Sequence, residues 1–193
     1  MVSSRVVHCA EAIVDIRGDL VYKRRIPKDY RIKELDERIR RERTRFEAKI
    51  LKEARKLGVP TPIVLDCWRD TITMEYIEGV QLKDCITEKY SEIAGELVGR
   101  LHSGGIIHGD LTTSNMIVSH DRIYLIDFGL SFYDQTVEAR GVDVHVFFQT
   151  LKSTHEDYER LIEAFKRGYR RQFDQADPVL RRVSEIEARG RYK

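Results

Sequence analysis

One stretch of this chain, residues 108–129, constrains its fold and chemistry more than any other. It reads His108-Gly109-Asp110-Leu111-Thr112-Thr113-Ser114-Asn115, then Ile123-Tyr124-Leu125-Ile126-Asp127-Phe128-Gly129. The pattern H-x-D-L-x-x-x-N, followed shortly by D-F-G, gathers three oxygen-bearing side chains for one task. Asp110 faces an acceptor hydroxyl, Asn115 reaches a metal ion, and Asp127 holds metal against the phosphates of a nucleotide. The apolar run 123–126 supplies a strand that presents Asp127. An isolated Asp-Phe-Gly is usually a turn and nothing more. Its pairing with the upstream motif at this separation carries the information.

These are the catalytic loop and metal-binding turn of a protein-kinase-like fold. The expected class is α+β, in a minimal two-lobed form: a small antiparallel-sheet lobe with one long helix, and a mostly helical C-terminal lobe. At 193 residues the chain is long enough for one domain or two small lobes. We divide it at the end of the sheet region, 1–78 and 79–193. Short strands are expected over 5–7, 12–16, 20–23, 63–66 and 71–76, with a turn at Arg17-Gly18-Asp19. A long helix is expected over 33–57, capped by Gly58 and stopped by Pro60 and Pro62. Further helices are expected over 93–102, 143–151 and 158–173, and Pro178 opens a last segment with a basic end. The net charge is only +2. Three cysteines without paired spacing indicate neither a zinc site nor a disulfide framework and suit a reducing, cytoplasmic setting. The N-terminus lacks a secretory apolar segment, and no run is long enough to span a membrane.

The remaining chemistry follows from this frame. Lys23, in Leu20-Val21-Tyr22-Lys23, takes the place of the strand lysine that holds nucleotide phosphates, with Lys28 as its competitor. Its glutamate partner on the long helix is Glu47, with Glu42 and Glu53 as weaker alternatives. Asp110 and Lys23 are the catalytic candidates. Asn115 and Asp127 are the metal ligands, and their oxygens beside phosphate imply Mg2+ with ATP. In Met74-Glu75-Tyr76-Ile77, the backbone of Glu75 and Ile77 would bond an adenine ring while Met74 shapes the pocket. His102 and His108 read as packed, structural histidines. Asp143 reads as a helix cap that also braces the catalytic loop.

The departures are equally informative. The segment His8-Cys9-Ala10-Glu11-Ala12 has no glycine where a phosphate-cradling loop is expected. Gly109 replaces an arginine, and Thr112 stands where a lysine would sit beside the γ-phosphate. Only 13 residues separate Gly129 from Asp143, with no A-P-E motif among them. That is too short for the usual peptide-substrate platform.

Together these residues resemble the small kinase-like subunit of the KEOPS complex, also called the p53-related protein kinase family. The resemblance covers essentially the whole chain. It includes His108 to Asn115 with its double threonine, the basic run from Lys23 to Arg31, Leu35-Asp36, Arg43-Thr44-Arg45-Phe46-Glu47, Met74 to Gly79, Leu125 to Ser131 and Arg189-Gly190-Arg191. It departs at His8-Cys9 and at Glu138-Ala139-Arg140-Gly141-Val142-Asp143. The resemblance implies ATP binding, weak autophosphorylation or ATPase activity, and a role in tRNA threonylcarbamoyladenosine modification. It implies as partners the threonylcarbamoyl-transferase subunit, a further small KEOPS subunit and, through the complex, tRNA. The chain is expected to be the unfused, archaeal type. Two basic stretches, Lys23 to Arg31 and Arg181, Arg182, Arg189, Arg191 and Lys193, are expected to meet tRNA phosphates. RIO-type kinases are also small, but no residue favours them over this match. The competing readings are a stand-alone Ser/Thr protein kinase and a nucleotide-binding scaffold without turnover.

Overall fold

The computed structural model describes residues 4–190; Arg191 and Lys193 of the basic end lie outside them. Five strands form an antiparallel sheet in the order β1-β2-β3-β5-β4: β1 Ser4–His8, β2 Ala12–Arg17, β3 Leu20–Arg25, β4 Val64–Trp68 and β5 Thr71–Glu75. The β2–β3 hairpin turns at Gly18, as its Arg-Gly-Asp sequence foretells. In β3 side chains alternate faces. Val21, Lys23 and Arg25 are buried, and Arg24 between them is exposed. This alternation corrects the expectation that residues 23–31 form one basic face, because two of their cations point inward.

Helix α1, Lys33–Lys56, packs across the sheet. Its inner face repeats at helical spacing through Glu47, Ile50, Leu51 and Ala54, all buried. It ends in a Schellman arrangement. Gly58 N–H donates to the Arg55 carbonyl and Val59 N–H to the Ala54 carbonyl, with Gly58 at φ +77°.

After the sheet the chain is mostly helical, in the order β6 Val80–Gln81, α2 Leu82–Cys85, α3 Glu88–Ser103, β7 Ile106–Ile107, β8 Met116–Ser119, β9 Arg122–Leu125, β10 Phe132–Tyr133, α4 Val137–Thr154, α5 Tyr158–Gln172 and α6 Ala176–Gly190. A single 3-10 turn, Thr113–Asn115, precedes β8. Helix α3 packs along α5, and Ser91 Oγ donates across to the Leu161 carbonyl at 2.6 Å. Phe147, Phe148, Phe165, Tyr169 and Phe173 form a chain of ring contacts through the core, with neighbouring centroids 4.8–5.9 Å apart.

Two helices begin earlier than the apolar pattern suggested. Thr87 caps α3 by accepting from Tyr90 N–H, and Thr136 caps α4 by accepting from Ala139 N–H. Their first turns, Glu88 to Ser91 and Val137 to Arg140, carry no sustained apolar stripe, so periodicity misses them. Asp143 therefore lies inside α4 and is not its cap.

Candidate active site

The strand β9 and Ile126 after it deliver Asp127 into a cleft of about 650 Å³. Val14, Val21, Met74, Ile77, Ile117 and Ile126 give it an apolar lining. Lys23, Glu75, Asn115 and Asp127 line the same space. A second concavity of about 700 Å³ lies against the outer face of α1, walled by charged side chains such as Arg38, Arg41, Glu42 and Arg45. None of the candidate catalytic residues reaches it.

Lys23 is the junction of the cleft. Its Nζ donates to Glu47 Oε1 and to Asp127 Oδ1, both at 2.6 Å. Glu47 is 2 % exposed. Of the alternatives, Glu53 pairs with Lys56, and Glu42 faces the outer concavity. Lys28, the competitor of Lys23, donates instead to the Ala10 carbonyl. Burial pulls the Lys23 ammonium toward deprotonation, but the charges of Glu47 and Asp127 more than offset this and raise its pKa. Burial likewise pushes the Asp127 carboxyl up. The charge and hydrogen bond of Lys23, with Gly129 N–H, outweigh it and hold Asp127 below its ordinary value.

Asp127 adopts φ +59°. A non-glycine residue in the left-handed region is strained, at about 1–3 kcal/mol, and here the strain aims a carboxylate into the cleft. Asp110 and Asn115 meet across their loop. Asn115 Nδ2 donates to both the carbonyl and Oδ2 of Asp110 at 2.9 Å. This occupies the amide N–H groups of Asn115 and leaves its Oδ1 as the acceptor. An amide oxygen beside a carboxylate held in its ionised form is a donor set that a small hard cation such as Mg2+ prefers. The residues present therefore fit the expected group. At the far end, Glu75 N–H donates to the Ile63 carbonyl and Tyr76 N–H to that of Asp19. Among the described residues no acceptor takes the N–H of Ile77, which lies in the cleft wall.

The catalytic loop is held from below. Asp143 Oδ2 accepts from His108 N–H and Oδ1 from Gly109 N–H, both at 2.9 Å. His102 Nε2 lies 3.2 Å from Asp143 Oδ2, and His102 Nδ1 lies 2.7 Å from the Tyr169 hydroxyl. With Asp143 ionised, His102 carries its proton on Nε2 and accepts from Tyr169. Burial raises the Asp143 carboxyl, but its bond from His102 and the loop N–H groups bring it below its ordinary value. His108 accepts from Asp110 N–H at Nδ1 and reaches the Ile126 carbonyl from Nε2 at 3.1 Å, so one tautomer serves both nitrogens. Both histidines are packed and bonded within the loop's support, as the sequence suggested. Gly109 takes φ +81°, and a Cβ there would strike the Leu130 carbonyl. No arginine fits in this backbone.

Two site residues escaped sequence reasoning. Arg25 is buried and donates to Glu47 Oε2 at 2.6 Å. Arg140 is buried, donates to the His102 carbonyl at 3.0 Å and covers the Phe173 ring. The β3 alternation could have found Arg25; nothing local marks Arg140.

The fold and the residues gathered in its cleft define a protein-kinase-like molecule. A RIO domain profile matches residues 19–177. The chain is 58% identical over 188 residues to a probable bifunctional tRNA threonylcarbamoyladenosine biosynthesis protein of Methanosarcina mazei, covering 95% of this chain and 34% of that one. It spans about a third of the length of that bifunctional relative. It is 42% identical to the KEOPS complex subunit Bud32 of Pyrococcus abyssi, covering 95% of this chain and 89% of that one. The Rio2 kinase of Chaetomium thermophilum, solved with ADP, Mg2+ and phosphoaspartate, superposes with TM-score 0.69 at 16% identity, over 100% of this chain and 72% of that one. The chain belongs to the RIO-domain family and, within it, to the kinase-like Bud32 proteins. The sequence favoured that subunit over RIO-type kinases; the two readings converge, since the RIO domain profile spans it.

Proposed function

We propose that this chain binds Mg-ATP in the cleft and transfers or hydrolyses the γ-phosphoryl group as an ATP-driven subunit of a KEOPS-type complex. The observation that carries the reading is the single cleft in which Lys23, Asp127 and Asn115 converge, with Asp110 bonded to Asn115. Residues 1–78 and 79–193 act as two lobes that enclose the nucleotide. The N–H of Ile77 and the carbonyl of Glu75 receive the adenine edge. Lys23, kept charged by Glu47, takes a phosphate oxygen. Asn115 and Asp127 hold Mg2+, which supplies neutralising charge on the phosphates when bound. Asp110, oriented by Asn115, accepts the proton of the attacking hydroxyl or water.

The names of the relatives support work in tRNA threonylcarbamoyladenosine modification within a KEOPS complex; we place that work in the cytoplasm, beside the transferase subunit and a further small subunit. No helix among the described residues is long and apolar enough to cross a membrane. The short path from Asp127 to α4 weighs against a general peptide kinase. The test is ATP turnover with and without the transferase subunit and tRNA. Slow turnover alone that rises with both is the expected result. Fast, partner-independent phosphorylation of peptides would overturn it.

A further inference from the structure

Arg25 is a cation buried beside the cleft. It is 5 % exposed. Its Nη2 donates to Glu47 Oε2 at 2.6 Å, and its Nη1 lies 3.5 Å from Glu11 Oε2. Its Nε has no hydrogen-bond partner among the described residues. Glu47 thus carries two cations, Lys23 on one oxygen and Arg25 on the other. One cation is enough to neutralise it. The second holds the other carboxylate oxygen, so that Oε1 stays aimed at Lys23. The Lys23 ammonium has three N–H donors, so it can offer one to a phosphate oxygen while it stays on Glu47. Without Arg25 a carboxylate 2 % exposed would keep Lys23 but lose the partner that fixes its second oxygen.

We propose that Arg25 is a positioning residue for Lys23: it holds Glu47 so that Lys23 stays aimed into the cleft as it engages phosphate, and through Glu11 it ties down the glycine-free turn beside the cleft. Glu11 is also gripped by Arg43 of α1 at 3.0 Å, and the Ile26 N–H donates to the Glu11 carbonyl. Lys28 holds the neighbouring Ala10 carbonyl at 2.9 Å. Cys9 of this turn lines the cleft. Ion pairs from β3 and α1 give the turn a fixed shape, where a glycine loop would wrap the phosphates with its backbone.

The inference rests on the nucleotide reading, so the experiment separates the two. Binding of Mg-ATP and of adenosine is measured for the full chain and for Arg25→Met and Arg25→Lys. Amide exchange of residues 9–12 is followed in the nucleotide-free proteins. Adenosine has no phosphates and reports on the fold and the purine end of the cleft. Arg25→Met is expected to weaken Mg-ATP binding about tenfold while adenosine stays within about twofold, and Arg25→Lys to recover part of the loss. Exchange at the turn is expected to quicken in Arg25→Met. Equal losses for both ligands, or none for either, would overturn the proposal. If Arg25→Met does not fold, Arg25→Lys decides alone by the same split. If the unmodified chain binds neither ligand, the nucleotide reading fails, and unchanged exchange at the turn then removes the positioning role as well.

Discussion

The loop that carries Asp110 and the turn that carries Glu11 serve one cleft, but different forces hold them. The loop rests on Asp143, 2 % exposed, whose two oxygens take two backbone N–H groups and face a buried histidine. The turn rests on Glu11, whose side chain is 45 % exposed and pairs with Arg25 and Arg43. A buried, fully bonded carboxylate is costly to disturb, whereas a half-exposed ion pair contributes about 0–1 kcal/mol and yields to salt. The Asp110 side of the cleft is therefore the more firmly held, and the Glu11 side rests on ion pairs that salt can weaken. The variants below sharpen this contrast, in order of decreasing effect.

Asp127→Ala and Asp110→Ala should each lower phosphoryl transfer or hydrolysis by at least about 100-fold, because positioning and charge neutralisation carry this chemistry. Only Asp127→Ala should also weaken Mg-ATP binding, since Asp110 meets the acceptor. Steady-state turnover paired with nucleotide titration separates them. Turnover of Asp127→Ala within a few-fold of the parent would remove the metal-ligand assignment.

Asp143→Ala leaves the N–H groups of His108 and Gly109 without their acceptor and His102 without its partner. The expected loss is about 3 kcal/mol, from roughly 1–3 kcal/mol per stranded buried group. For a chain of this size that is about 6–12 °C in Tm. Asp143→Asn keeps one acceptor and should lose less. A thermal scan checks both, and a loss no greater than that of a surface substitution would show that the loop does not depend on this brace.

Asp110, Asn115 and Asp127 were legible because their chemistry demands fixed spacing in one local motif. Lys23 and Glu47 were legible because a strand and a helix place them by position. The five strands of the first sheet and α1 were legible through their alternation and their Gly-Pro stop, whereas β6, β7, β8 and β10, of two to four residues, were too short to show a pattern. What escaped depends on distant partners. Asp143 looked like a cap because the first turn of α4, Val137 to Arg140, mixes apolar and charged residues without a sustained apolar stripe. The basic run from Lys23 looked like a surface because charge counting ignores the strand alternation that buries Lys23 and Arg25. Arg140 meets His102 and Phe173 only through tertiary packing.

The pH profile of stability should show the same asymmetry. The folded pKa of Asp143 is depressed, so its contribution is present above the unfolded value of about 3.9 and is lost as the pH falls through the lower folded value. Asp127 acts in the same sense. Lys23 has a raised pKa, so its contribution is complete below about 10.4 and is lost as the pH rises through the folded value. Urea unfolding across pH should fall at both ends, and Asp143→Asn should flatten the acid limb. An acid limb unaltered by Asp143→Asn would place the titrating carboxylate elsewhere.

The smallest effect is expected from the turn. Glu11→Gln removes one charge from a half-exposed pair and leaves Lys23, Glu47 and Arg25 in contact. Its stability cost should stay below about 1 kcal/mol and shrink further in salt, because exposed pairs are screened within about 10 Å at 0.1 M. Local opening should respond more than global unfolding does, since the turn sits on the less strongly held side. Amide exchange near Cys9 is expected to quicken at low salt and to match the parent at high salt, with the exchange of the His108 and Gly109 amides unaltered. Should Glu11→Gln instead destabilise the fold as much as Asp143→Ala, the two sides of the cleft would be equally rigid and the contrast between them would fail.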